Sequence, residues 1–90
     1  MRECLKYGSI IPGRHFRDEL AAEGLVFSDA LVILKSGWIY NEPEQDIKTG
    51  DWKYRIVGSP GDALLLRRFE IVFYFRAVDQ AFLITAFSIR

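Results

Sequence analysis

The chain has few of the residues from which disulfides and metal sites are built. Its 90 residues include one cysteine, Cys4, and one histidine, His15. A disulfide needs two cysteines, and a structural zinc site needs four ligands, mostly Cys or His. We therefore expect no internal disulfide, no metal site and no cofactor. Cys4 lies near the terminus, where a spectator thiol is far more common than a reactive one.

Charge of one sign and long apolar runs are also missing. Twelve Lys and Arg balance twelve Asp and Glu, which gives a net charge of zero. Without a global field to attract a polyanion, nucleic-acid binding needs a local basic patch. The longest apolar runs, ALVIL and IVFYF, are far shorter than the roughly 20 residues of a membrane-spanning helix. No apolar signal segment follows Met1, so we expect a cytoplasmic protein that makes no membrane contact.

The chain does contain ample material for one core. Hydrophobic residues make up 50% of the sequence and aromatic residues 14%. A chain of this length forms one domain rather than two independent cores. The composition therefore predicts a single globular domain over residues 1–90.

The first part of the chain has helical periodicity. Residues 14–23 place Phe16 and Leu20 on one face, and Gly24 follows as a left-handed C-cap. A second helix is predicted to begin after Ser28, a good N-cap, and to end before Gly37.

After Gly37 the period of the pattern changes to two, which is typical of strands. GWIYNE begins a strand, and DWKYRIVG, the run from Ala63 to Arg76 and FLITAFSI then alternate between two faces and are separated by turns. Helices followed by hairpins predict an α+β fold, in which two N-terminal helices pack on one face of an antiparallel β-meander of about four strands.

The alternation also gathers polar side chains on one face of the predicted sheet. Cations and hydroxyls together can hold a phosphodiester, stabilise the charge that builds on it and move a proton. Any solvated sheet face carries such residues, and from the pattern alone that explanation is the more frequent. The same holds for His15. The residues expected opposite the phenylalanine stripe are Lys53, Arg55, Tyr74 and Arg76, with Thr85 from a third strand.

Short motifs occur in a distinctive order along the chain. His15 is followed nine and ten positions later by Gly24-Leu25, and then by LKSGWI, YRIVG and a last strand with LIT. This order and spacing resemble the family called domain of unknown function 4258, and the match covers about residues 10–87. That family is similar to the RelE/ParE-like toxins and to the superfamily containing barnase, colicin nuclease domains and RelE.

The resemblance implies a RelE-like domain that cleaves RNA without a metal, by general acid/base chemistry, as the toxin of a toxin–antitoxin pair. Its implied partners are RNA, a small zinc-finger antitoxin of the MqsA type and a second copy in a homodimer. The catalytic residues expected are His15, Lys53, Arg55, Tyr74 and Thr85. The substrate-binding residues expected are Arg17 and Arg76.

Two carboxylates keep a different reading open. Glu19 and Glu23 stand where the family usually has arginine, which reverses the charge on the helix that would flank an RNA phosphate. The alternative is a non-catalytic interaction domain that keeps the toxin-like fold and binds a protein through exposed aromatic residues or a sheet edge. Zero net charge favours this alternative, whereas His15, Arg55 and Thr85 favour the enzyme.

Overall fold

Two helices and six strands make up the part of the chain that the computed structural model describes, namely residues 8–39, 42–60, 68–77 and 79–89. No helix within these residues has the length and apolar character needed to cross a membrane. In chain order the elements are β1 (Ser9–Pro12), α1 (Arg14–Ala22), α2 (Phe27–Ser36), β2 (Trp38–Ile39), β3 (Glu44–Gln45), β4 (Trp52–Gly58), β5 (Arg68–Ala77) and β6 (Gln80–Ile89).

The strands form one mostly antiparallel sheet in the order β1-β6-β5-β4-β2, and β3 also pairs with β4. The exception is β1, which runs parallel to β6 at the edge. The predicted α+β class is confirmed, but the described residues form six strands rather than about four. The additional strands β1 and β3 contain 4 and 2 residues, too few for an alternating pattern to reveal them.

The core lies between the helices and one face of the sheet, which we call the helix face. Phe16, Phe69 and Phe73 are completely buried there. As the alternation predicts, Tyr54 and Phe75 also pack against this core. The remaining core residues are Leu20, Leu25, Ala30, Ile33, Leu34, Ile56, Ile71, Ala81, Leu83 and Ala86.

The helix boundaries follow the sequence at one end and differ at another. Gly24 has φ 75°, the left-handed conformation expected after α1. The prediction of Ser28 as N-cap is wrong, because the N-cap is Val26 and α2 begins at Phe27. The Asp29 carboxylate accepts the Val26 backbone N–H at 3.0 Å, so an acidic residue inside the first turn performs the capping.

Two irregularities interrupt the pairing of β5 with β6. Thr85 pairs with Val72 and Leu83 with Phe73, which leaves Ile84 as an extra residue. Leu83 and Ala86 therefore both pack in the core, and the strict alternation predicted for the last strand is wrong. In the same way, Arg76 has no partner between Phe75 and Ala77.

The opposite side of the sheet, which we call the outer face, carries the polar positions of β4 and β5. Lys53 pairs with Tyr74 and Arg55 with Val72 across the two strands. Because their sequence neighbours Tyr54 and Phe73 pack in the core, these side chains project away from the helices.

Candidate functional site

The predicted site residues form two groups, and within the described residues no hydrogen bond or ion pair joins one group to the other. His15 and Arg17 belong to α1, which packs on the helix face, and the hydroxyl of Thr85 contacts Glu19 of the same helix. The outer face carries Lys53, Arg55, Tyr74 and Arg76.

Glu19 contacts two of the predicted site residues, His15 and Thr85. Its Oε1 lies 3.1 Å from Nε2 of His15, one helical turn earlier. The same oxygen accepts a hydrogen bond from the Thr85 hydroxyl and another from the Ala86 backbone N–H at 3.2 Å. The His15 side chain is 73% exposed and that of Glu19 only 28%, so a partly buried carboxylate holds a solvent-facing imidazole.

This arrangement suits a proton-transfer group. A carboxylate beside Nε2 favours a proton on that nitrogen and fixes the orientation of the ring. Nδ1 is then the ring nitrogen that carries the lone pair. The Thr85 hydroxyl donates a hydrogen bond to Glu19, so Thr85 positions the carboxylate. Within the described residues, no serine or cysteine forms a hydrogen bond with His15.

On sequence grounds Glu19 is a change of charge relative to the family, and its contacts with His15 and Thr85 are not predicted. Its spacing of four residues from His15 was the available signal, because such pairs meet on one side of a helix. The contact with Thr85 spans 66 residues, so no local pattern predicts it.

On the outer face, carboxylates bind the two central cations. Lys53 Nζ lies 3.0 Å from Asp46 Oδ2. Arg55 Nη1 donates to Glu70 Oε2 at 2.8 Å, and Arg55 Nε lies 3.4 Å from Glu44 Oε1. Glu70 is 3% exposed, and its hydrogen bond raises the pKa of Arg55. These ion pairs reduce the positive charge that a phosphate would meet here.

The turn that leads into β4 is organised around Asp46. Its Oδ1 accepts the backbone N–H groups of Lys48 at 2.8 Å and Thr49 at 3.1 Å, and Gly50 has φ 78°. The hydrogen bond from Lys53, followed by those two N–H groups, lowers the pKa of Asp46 from 3.8 to about 2.

A third group of residues, which we call the arginine platform, consists of Tyr74, Arg76 and Phe82 on the outer face. The Arg76 guanidinium carbon lies 4.2 Å from the Phe82 ring centroid, and Arg76 Nε donates to the Tyr74 hydroxyl at 3.2 Å. The two rings are 5.4 Å apart. Arg76 forms no ion pair with any residue that the structure describes, so its charge is not neutralised.

At the end of β5 opposite Arg76, the outer face carries an open groove, which no pattern in the sequence predicts. The groove has a volume of about 320 Å³ and is lined by Trp38, Val57, Arg68 and Ile89. The Arg68 guanidinium carbon lies 5.9 Å from the Trp38 ring centroid, and Trp38 is 53% exposed.

Within the described residues, no group of three or more His, Cys, Asp or Glu is arranged to hold a metal ion. Comparison with protein-family models, curated proteins and solved structures found no match for this chain. Inference about its function therefore depends on the chemistry of these surfaces and on the order of its motifs.

The Arg55–Glu70 pair predicts a large effect on stability. Replacing Arg55 with alanine removes the guanidinium partner of a buried carboxylate, and we expect a loss of about 2 kcal/mol in the free energy of unfolding. Urea denaturation measures the loss. Lys53→Ala is the control, because its more exposed ion pair contributes less to stability. Equal effects of the two substitutions would contradict this assignment.

The lowered pKa of Asp46 predicts a pH dependence of stability. The ionised carboxylate stabilises the folded state fully above 3.8, its ordinary value, and this contribution is lost as the pH falls through about 2. We therefore expect Asp46→Asn to be less stable than the wild type near neutral pH, with the gap closing towards pH 2. Urea midpoints measured across this range test the effect. Glu42→Gln, an exposed change in the same segment, should follow the wild type at every pH.

Proposed function

We propose that this chain is a metal-independent ribonuclease with a RelE-like fold, and that His15 transfers the proton in its reaction. The observation that carries the proposal is the imidazole held by Glu19 at 3.1 Å while 73% of the side chain faces solvent. The resemblance to the domain of unknown function 4258 family supports the same reaction and a role as the toxin of a toxin–antitoxin pair.

RNA is the substrate class that requires the fewest catalytic groups from the protein, because it carries its own nucleophile. Its 2′-hydroxyl is the nucleophile, so the protein must supply positioning, proton transfer and charge. In the proposed step His15 Nδ1 takes the 2′-hydroxyl proton as that oxygen bonds to phosphorus. The bond from phosphorus to the 5′-oxygen breaks, and the leaving oxygen takes a proton from water. The products are a 2′,3′-cyclic phosphate and a 5′-hydroxyl.

Positive charge for the phosphate is available on the same helix. Arg14 and Arg17 are exposed, and neither forms an ion pair within the described part of the chain. Lys53 and Arg55 take no part in this step, because carboxylates bind them.

His15→Ala is expected to reduce RNA cleavage about 10²–10⁴-fold, the usual contribution of a general acid or base. Glu19→Gln should give a smaller loss, because the imidazole loses the carboxylate that orients it. The assay uses a single-stranded RNA that carries a fluorophore and a quencher, with a chelator present to suppress metal-dependent contaminants.

Asp18→Asn is the matched control for Glu19→Gln, because it removes an exposed carboxylate from the same helix without touching His15. Cleavage that is identical in the wild type and in His15→Ala would mean that the activity does not come from this site.

The groove at Trp38 favours a second candidate function, that of a protein-interaction domain. Large exposed aromatic side chains are typical of binding surfaces, and Arg68 adds a cation that no carboxylate neutralises within the described residues. The complementary partner is an extended segment with an apolar side chain for the groove and a carboxylate for Arg68.

Two tryptophans of equal exposure allow this candidate to be tested. Trp38 is 53% exposed at the groove and Trp52 is 52% exposed at the far end of β4. Peptides selected on the wild-type protein by display should bind Trp38→Ala more than tenfold more weakly, because aromatic anchors dominate interfaces. The same peptides should bind Trp52→Ala normally. Equal losses for both variants, or peptides without acidic residues, would argue against this interaction.

A further inference from the structure

The arginine platform of Tyr74, Arg76 and Phe82 takes no part in the proton transfer described above. We infer that it binds a nucleotide of single-stranded RNA next to the cleavage site, an inference that rests on the proposed ribonuclease function. Three observations support it: the free charge of Arg76, the stacked geometry of its side chain and the proximity of Phe82 to the start of α1.

The first observation concerns charge. Lys53 and Arg55 are bound to carboxylates at 3.0 and 2.8 Å, whereas the described residues offer Arg76 only an aromatic face and a hydroxyl. A guanidinium on a ring keeps its positive charge and its remaining N–H donors. A phosphate approaching the outer face therefore meets more positive charge at Arg76 than at the centre of the sheet.

The second observation concerns stacking. The guanidinium lies 4.2 Å above the Phe82 ring, and the hydrogen bond to Tyr74 restrains it. Its other face is directed towards solvent, because Arg76 is an exposed residue where the strand pairing is interrupted. Bases stack on guanidinium planes and aromatic rings when they are unpaired, but a duplex buries those surfaces. The platform therefore selects single strands.

The third observation places the platform beside the helix that carries His15. A Cβ atom at Gly13 would lie 2.9 Å from the Phe82 ring and 2.8 Å from the Leu83 carbonyl oxygen, so the chain passes directly against the platform. Arg14 and His15 are the next two residues of the chain after Gly13. A strand of RNA stacked on Arg76 can thus continue over this edge of the sheet to the imidazole.

The test compares two arginines on the same strand. Arg76→Gln and Arg68→Gln each remove an exposed guanidinium that lies over an aromatic ring, at opposite ends of β5. Both are made in a His15→Ala background so that the probe stays intact. The probe is a short fluorescein-labelled RNA of mixed uridine and adenine, single-stranded or annealed to its complement, and binding is followed by fluorescence anisotropy over a series of salt concentrations.

We expect Arg76→Gln to weaken binding of the single strand about tenfold and to reduce the salt slope by about 0.7, as for the loss of one phosphate contact. Arg68→Gln should bind as tightly as its parent, and the duplex should bind more weakly than the single strand. Equal losses in both variants, equal binding of duplex and single strand, or no binding of RNA by the His15→Ala parent would overturn the inference.

The same variants separate this inference from the proposed function. If the chain with His15 cleaves RNA and Arg76→Gln leaves its KM unchanged, the ribonuclease stands and the platform fails. If Arg76→Gln weakens RNA binding but His15→Ala does not change cleavage, the platform stands and the catalytic role of His15 fails.

Discussion

The Glu19 carboxylate is the contact on which the candidate site depends. Phe16 and Leu20 bury one face of α1, but apolar packing is not directional and does not fix the helix in detail. The hydrogen bonds from Thr85 and from the Ala86 backbone to Glu19 supply that direction. They also hold a carboxylate beside His15, so the feature that docks the helix is the one that orients the imidazole.

On the outer face, the cation at the buried centre is paired with a carboxylate, whereas the cation at the exposed edge is not. At the centre of the outer face, Val57, Glu70 and Val72 are buried, and a cation there loses hydration that only a carboxylate restores. Arg55 is accordingly paired. At the edges solvent still reaches the guanidinium groups, so Arg76 needs no carboxylate. Although the net charge is zero, the described residues of β5 include two cations without an ion pair, Arg68 and Arg76. They lie at the two ends of the strand, where an extended polyanion can reach them.

The sequence was sufficient for features that depend on local periodicity. The position of α1, the left-handed Gly24 and the two faces of β4 and β5 agree with the structure because burial of one face dictates each of them. The parallel strand β1 and the irregularity at Ile84 depend on contacts between distant segments. The second of these lets Leu83 and Ala86 share the core face, which an alternating pattern on its own does not allow.

Arg68 and Arg76 show how neighbours give similar side chains different roles. Both are residues of β5, about 27 Å apart along the strand, and each guanidinium lies over an aromatic ring of another strand. Beside Arg68 the surface is aliphatic and concave, which suits an apolar segment of a protein. Beside Arg76 it offers a phenol hydroxyl and an edge that leads to His15, which suits a nucleotide. The two surfaces share no residue, so substitutions in one leave the contacts of the other in place.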